Sequence, residues 1–441
     1  MLRCYRDTEF HPGNWPRVLC VERVGSKLMS EDLIVSVDGH IVEPPDLFLT
    51  RLPGHLRERA VWEEDLLIEP LGEDGRTHFR KLHTPGFEGW TNSAYPHFDG
   101  SPNTGQPDRI IADMDSEGVW AQVMHPNLSF FGLYSDDHDR SIGHARVYND
   151  YVAETFGAYR DRIAPTAPIP LTNLDDAVAE IERAAGLGLR AILLPAVSPV
   201  PYHARELDRV WAAAQAHGLV VAFHVATGSV KVDKKASPTL RALIESVRMQ
   251  SQELTDDLVV GRILSAVTKQ SFVPQQIIAS LVGGGVTERF PGLHFVLVEF
   301  NANWLVSFMA AMDKAWTLGV GQDRDFWVGT WDDARPDGDQ PGMAQVFRLN
   351  ERWPYPLRPS DYARRQIHVS FQEDPVAVAC RHITGVSTLV WGVDYPHPEG
   401  TFRRSREAID VQFAGVSPAD RAAILGGTTA GLFGFKAPAA V

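Results

Sequence analysis

Short apolar runs alternate along the chain with longer stretches in which apolar positions recur at helical spacing. The runs fall at residues 33–38, 119–125, 163–169, 190–194, 219–224, 294–299, 367–371 and 388–394. Several are apolar throughout, such as Ala191-Ile192-Leu193-Leu194 and Leu219-Val220-Val221-Ala222-Phe223. A strand without a polar side needs cover on both faces, as in a parallel sheet. Residues 138–160, 173–187, 203–217 and 273–290 read as covering helices, the second opened by Thr172-Asn173. Eight strands with helices between them predict the α/β class and a (β/α)8 TIM barrel rather than an open doubly wound sheet. Gly283-Gly284-Gly285 lies late in a helical stretch, not after a strand, so it is no dinucleotide fingerprint.

Three interruptions exceed ordinary βα loops: 44–106, 225–272 and 318–366, long insertions after strands one, five and six. The first two leave the C-terminal ends of strands, so they should wall or cover the barrel mouth. Phe87, Trp90, Tyr95 and Phe98 in the first would line an apolar pocket or pin the insertion down. Residues 1–30 carry turn chemistry without periodicity (His11-Pro12-Gly13-Asn14-Trp15-Pro16) and read as a poorly ordered extension or a mis-called upstream start. Met29-Ser30-Glu31 is a natural beginning for a single domain over 31–436, with 437–441 as a tail.

In a parallel barrel the C-terminal strand ends converge on one mouth. Asp38 and His40 end strand one, His224 strand five, Glu299 strand six and Asp394 strand eight. Residues i and i+2 of a strand share a face, so Asp38 and His40 would stand side by side. Two imidazoles and two of these carboxylates at one mouth suit a catalytic divalent metal with room for water or substrate. Asp394 is then the natural proton shuttle, and Glu299 a base, an orienter of a ligating histidine or a further ligand. His397, three residues past Asp394, could bind substrate or be a turn histidine between prolines. Glu43 could bond loop amides, and His125 could face the mouth or close a turn before Pro126. His368 flanks strand seven, where Glu373 and Asp374 could cap the next helix. Serine catalysis lacks a Gly-x-Ser-x-Gly elbow, and Ser265 and Ser280 have nothing nearby in sequence to activate them.

The net charge of −14 argues against a general nucleic-acid binder. No run reaches the roughly 18 apolar residues of a membrane span. Three cysteines without metal spacing fit a reducing cytoplasm rather than a disulfide scaffold.

Asp38-x-His40 followed by Val42-Glu43-Pro44-Pro45, the end Phe223-His224, Leu297-Val298-Glu299, and Trp391-Gly392-Val393-Asp394-Tyr395-Pro396-His397-Pro398-Glu399 together resemble the amidohydrolase-related branch of the amidohydrolase superfamily. That branch holds aminocarboxymuconate-semialdehyde and γ-resorcylate decarboxylases. The resemblance runs from about residue 33 to 435 and includes a closing helix at Ile424–Gly434. It implies metal ligation by Asp38, His40, His224 and Asp394, one divalent ion (zinc or manganese) and a small-molecule substrate. The reaction it implies is non-oxidative decarboxylation of a small aromatic or unsaturated carboxylate. The alternative is hydrolysis of a C–N, C–O or C–C bond by metal-activated water. Three positions depart from the branch. Asp38 stands where those enzymes have His or Glu, a harder ligand that tilts away from strict zinc preference. Glu299 replaces a functional His, and Thr428 an Asn. A homodimer is the default assembly.

Overall fold

The computed structural model describes residues 32–68, 77–84, 91–93, 103, 105–130, 137–228, 271–319, 326–327, 346–347 and 353–437. The expected extension at 1–30, the aromatics Phe87, Trp90, Tyr95 and Phe98, and Ser265 lie outside these residues. So does all but the first residue of the expected tail.

Eight parallel strand positions form the sheet, with helices between them. Strand one is Val35–Ser36 with its continuation His40–Ile41, and strand two is Ala121–Pro126. Strands three to five are Ile163–Pro168, Ala191–Val197 and Val220–Gly228. Strands six to eight are Phe295–Val298, Ile367–Phe371 and Leu389–Trp391. They pair in that order. The barrel closes where Val37 N donates to Trp391 O (3.0 Å) and Asp394 N donates to Asp38 O (3.0 Å). The expected TIM barrel is therefore the observed one, and each expected apolar run carries a strand.

The interior is filled by small residues: Val35, Val37, Ala121, Val123, Ala164, Ala191, Leu193, Val220, Ala222, Val296, Val298 and Val390. The alternate residues, such as Ile34, Ile192, Leu194, Val221, Phe223, Phe295 and Leu297, pack under the helices. Both faces of each strand are thus buried, which is why the runs lack polar positions. The helices follow local signals. Asn173 accepts from the N–H groups of Asp175 and Asp176 to open Leu174–Gly186. Asp137 accepts from Arg140 N to open His138–Phe156. The helical stretch expected at 273–290 is broken: a π-turn at Ala279–Gly283 leads to Gly285 at φ 70°, and Val286–Arg289 follows. Only a residue without Cβ takes that backbone cheaply.

The first insertion has structure of its own, a three-stranded antiparallel sheet of Trp62–Ile68, Thr77–His83 and Thr91–Ser93. His144 ties it down from the helix His138–Phe156. One ring nitrogen accepts from Val61 N (3.1 Å) and the other faces Arg140 O (2.7 Å). Below the barrel, the closing segment packs so tightly that a Cβ at Gly426 would lie 2.0 Å from Leu33 O. Among the described residues no helix is long and apolar enough to cross a membrane.

Candidate metal centre

Alternation alone would not aim these side chains at the mouth. Val37 and Val298 face the interior, so regular pleating would turn Asp38 and Glu299 outward. Strand one is interrupted between Ser36 and His40. Glu299 takes a left-handed backbone (φ 64°), as does Asp394 (φ 57°). Such conformations cost about 1–3 kcal/mol each in non-glycine residues and cluster at functional sites. His224 needs no such device, because it follows Val220 and Ala222 in the inward register. Glycines make the room: a Cβ at Gly39 would collide with the Gln122 side chain, and one at Gly392 would lie 2.5 Å from Asp38 Cβ.

His40 Nδ1 lies 2.9 Å from Pro126 O, and His224 Nδ1 lies 2.9 Å from Val225 O. A carbonyl can only accept, so each Nδ1 carries the proton and each Nε2 presents a lone pair. Those two Nε2 atoms are 3.2 Å apart. Asp38 Oδ1 lies 3.7 Å from both, Asp394 Oδ1 3.4 Å from His40 Nε2, and Glu299 Oε2 3.4 Å from His224 Nε2. His397 Nδ1 is 3.1 Å from Asp394 Oδ1. Both carboxylate oxygens of Asp38 and of Asp394 are fully buried without a hydrogen-bond partner. Facing lone pairs and orphaned buried carboxylates are costly unless a cation lies among them. The donor set, imidazole nitrogen with carboxylate oxygen, fits a divalent transition metal.

The expected ligands come together in two overlapping groups rather than one. Asp38, His40 and His224 converge within 4.8 Å of one another, as do His40, Glu299, Asp394 and His397. His40 belongs to both. Glu299 and His397 therefore sit in the centre itself, not merely on its rim.

Burial, with the charges of Asp38 and Glu399, holds the Asp394 carboxyl well above its usual range, and burial with Asp394 does the same to Glu299. Burial, then His397, His224 and His125, pushes His40 well below the ordinary imidazole value. Burial also acts against charge on His224, but Asp38 and Glu299 outweigh it and raise its pKa. Three carboxyl groups are thus crowded into a largely buried site.

The other sequence candidates fall outside the ligand groups. His125 lies behind the centre, with Nε2 3.1 Å from Val37 O and Nδ1 3.1 Å from Thr166 Oγ1, so it joins three strands. Burial and His224 push its pKa down to about 4. His368 starts strand seven at the opposite end of the barrel, 2.6 Å from Ser387 O and 3.0 Å from His294. Asp374 caps Pro375–Ala379 through Ala377 N and also accepts from Ala302 N and Asn303 N. Glu373 pairs with Arg404 at the surface. Ser280 does have a neighbour that the sequence hides, His203 at 3.0 Å, but the contact is exposed. Two residues absent from the sequence reading belong to the site. Phe130 lies edge-on to His40 (5.8 Å) and tilted against His224 (4.9 Å), and Asn127 Oδ1 is 3.1 Å from His397 Nε2. Their only sequence signal is position, just beyond the C-terminal end of strand two.

A mouth built this way on a (β/α)8 barrel defines a metal-dependent TIM-barrel enzyme. The Amidohydrolase family profile matches residues 129–435, and the chain belongs to that family. The match starts after strand two, so Asp38 and His40 lie outside it. An amidohydrolase from Mycobacterium avium subsp. paratuberculosis K-10 shares the fold with a TM-score of 0.63 and 18% identity, over 92% of this chain and 99% of its own. A 5-carboxyvanillate decarboxylase from Sphingomonas paucimobilis does so with a TM-score of 0.58 and 19% identity, over 92% and 100%. A dihydroxybenzoic acid decarboxylase from Polaromonas sp. JS666, with bound manganese and the inhibitor 2-nitroresorcinol, gives 0.54 and 15%, over 92% and 97%. A search of curated proteins finds no match to the sequence.

Proposed function

We propose that this enzyme uses one divalent metal ion to remove CO2, without oxidation, from a small aromatic or unsaturated carboxylic acid. Asp38, His40, His224 and Asp394 would hold the ion, and Mn or Zn both suit the donors. The observation that carries the reading is the pair of facing Nε2 atoms, 3.2 Å apart, beside the Asp38 and Asp394 carboxylates, whose buried oxygens accept no hydrogen bond. When bound, the ion would supply a positive anchor for the substrate's carboxylate and a neighbouring oxygen.

The protein's own groups supply the proton. Asp38, Asp394 and Glu299 bring three negative charges to the centre, and one divalent ion offsets two. A proton on Glu299 or Asp394 would offset the third. In decarboxylation the bond from the substrate carbon to its carboxylate breaks, CO2 leaves, and the electron pair stays on carbon. The proton held by Glu299 or Asp394 then completes the new C–H bond. Phe130 offers a flat apolar wall beside the two histidines, where an aromatic ring can lie. The decarboxylases of the same fold support this choice of reaction.

Glu299 favours a second reading. Without that proton it is a carboxylate base 3.4 Å from His224, able to activate water for hydrolysis of a C–N, C–O or C–C bond. Manganese-loaded protein assayed on aromatic carboxylates, amides and lactones, with CO2 and acid release followed separately, distinguishes the two. CO2 from an aromatic carboxylate supports the first reading. Acid release from an amide or lactone, without CO2, supports the second.

A further inference from the structure

We propose that Glu43 is the positioning residue of this centre: through the segment 126–130 it sets the orientation of His40, His397 and Phe130. The proposal rests on the reading of Asp38, His40, His224 and Asp394 as metal ligands.

Glu43 is completely buried. Its carboxylate takes the N–H groups of three successive residues across the joint between strands one and two. Asn127 N donates at 3.2 Å, Leu128 N at 2.7 Å and Ser129 N at 3.0 Å, and Ser129 Oγ donates at 2.5 Å. The ladder between these strands ends at His40 with His125 and Ile41 with Pro126. Beyond it, Glu43 replaces backbone pairing for the N–H groups of Asn127, Leu128 and Ser129.

Three residues of the segment 126–130 meet the centre. Pro126 O accepts a hydrogen bond from His40 Nδ1–H, which leaves the His40 Nε2 lone pair toward the ligand group. Asn127 Oδ1 accepts from His397 Nε2, which turns His397 Nδ1 toward Asp394. Phe130 packs on His40 and His224. A slip of this segment would therefore change the tautomer of one ligand, the orientation of the histidine beside another, and the wall over both. Glu43 touches none of the reacting groups and acts only through these contacts.

The test uses the full chain with Mn2+ as the probe. Titration calorimetry of Glu43→Gln, whose amide presents donors to backbone N–H groups, should show Mn2+ binding weakened about 10–100-fold. Circular dichroism should stay unchanged, and Glu43→Asp should recover part of the loss. The His40 ring nitrogen shifts in NMR should move from a single tautomer toward a mixture. Ser129→Ala removes one donor with little risk to folding and should weaken binding about fivefold. An unchanged Mn2+ affinity in Ser129→Ala and Glu43→Gln, with only a lowered melting temperature, would overturn the proposal. A wild-type protein that binds no Mn2+ would instead overturn the metal reading beneath it.

Discussion

His40 and His224 face each other Nε2 to Nε2 at 3.2 Å, with the other nitrogen of each ring committed to a backbone carbonyl. Neither ring can turn its proton toward the other without giving up that bond. The pair is therefore arranged for a cation and against itself, and the surrounding carboxylates complete the same design.

Asp394 has the most to lose from a small change. Asp394→Asn keeps size and burial but removes the acid, so CO2 release should fall about 10²–10⁴-fold. Circular dichroism and the melting curve should stay close to wild type. A variant that turns over at near-normal rate would remove Asp394 from proton transfer.

Gly392 permits the centre without touching it. A Cβ there would lie 2.5 Å from Asp38 Cβ and 3.4 Å from its backbone nitrogen. Asp38 Cβ is fixed to its backbone and cannot step aside as the far end of a flexible side chain can, so Gly392→Ala should cost about 1–3 kcal/mol and lower the bound-metal content. Denaturant unfolding and metal analysis check both, and full metal occupancy would show that Asp38 tolerates the shift.

Acid should weaken the fold through histidines remote from the metal. Burial pushes the pKa values of His144 and His368 down to about 4, against 6.5 when free. The native state then binds fewer protons than the unfolded chain between those values. Stability is fully present above about pH 6.5 and is lost as pH falls toward 4. Each histidine adds a slope of up to about 1.4 kcal/mol per pH unit. His144→Gln, whose carbonyl can still accept from Val61 N, should flatten the profile by one histidine's share. Urea midpoints measured from pH 7.5 to 4.5 check this, and equal slopes in variant and wild type would contradict it.

The barrel was legible because its strands are covered on both faces, which leaves runs such as Ala191–Leu194 with no polar residue to confuse the period. The candidate site residues His224 and Asp394 were legible because they end such runs. What pairs across sequence was not. Glu43 meets residues 84–86 positions away, and Phe130 reaches His40 and His224 from a loop with no periodicity. The inward turn of Glu299 depends on a left-handed backbone that propensity does not foretell for glutamate. The antiparallel sheet in the first insertion was missed as well: its strands, Trp62–Ile68 and Thr77–His83, carry charged residues in place of clean alternation. The helix expected through 273–290 failed at Gly285, where the backbone takes a positive φ.

The most direct test of the metal centre is elemental analysis of tag-free protein after loading with Mn2+ and exhaustive dialysis, beside the His40→Ala/His224→Ala double variant. The structure predicts close to one equivalent in wild type and close to none in the double variant, with both proteins folded by circular dichroism. Wild-type protein that retains no metal, or a double variant that retains a full equivalent, would contradict it.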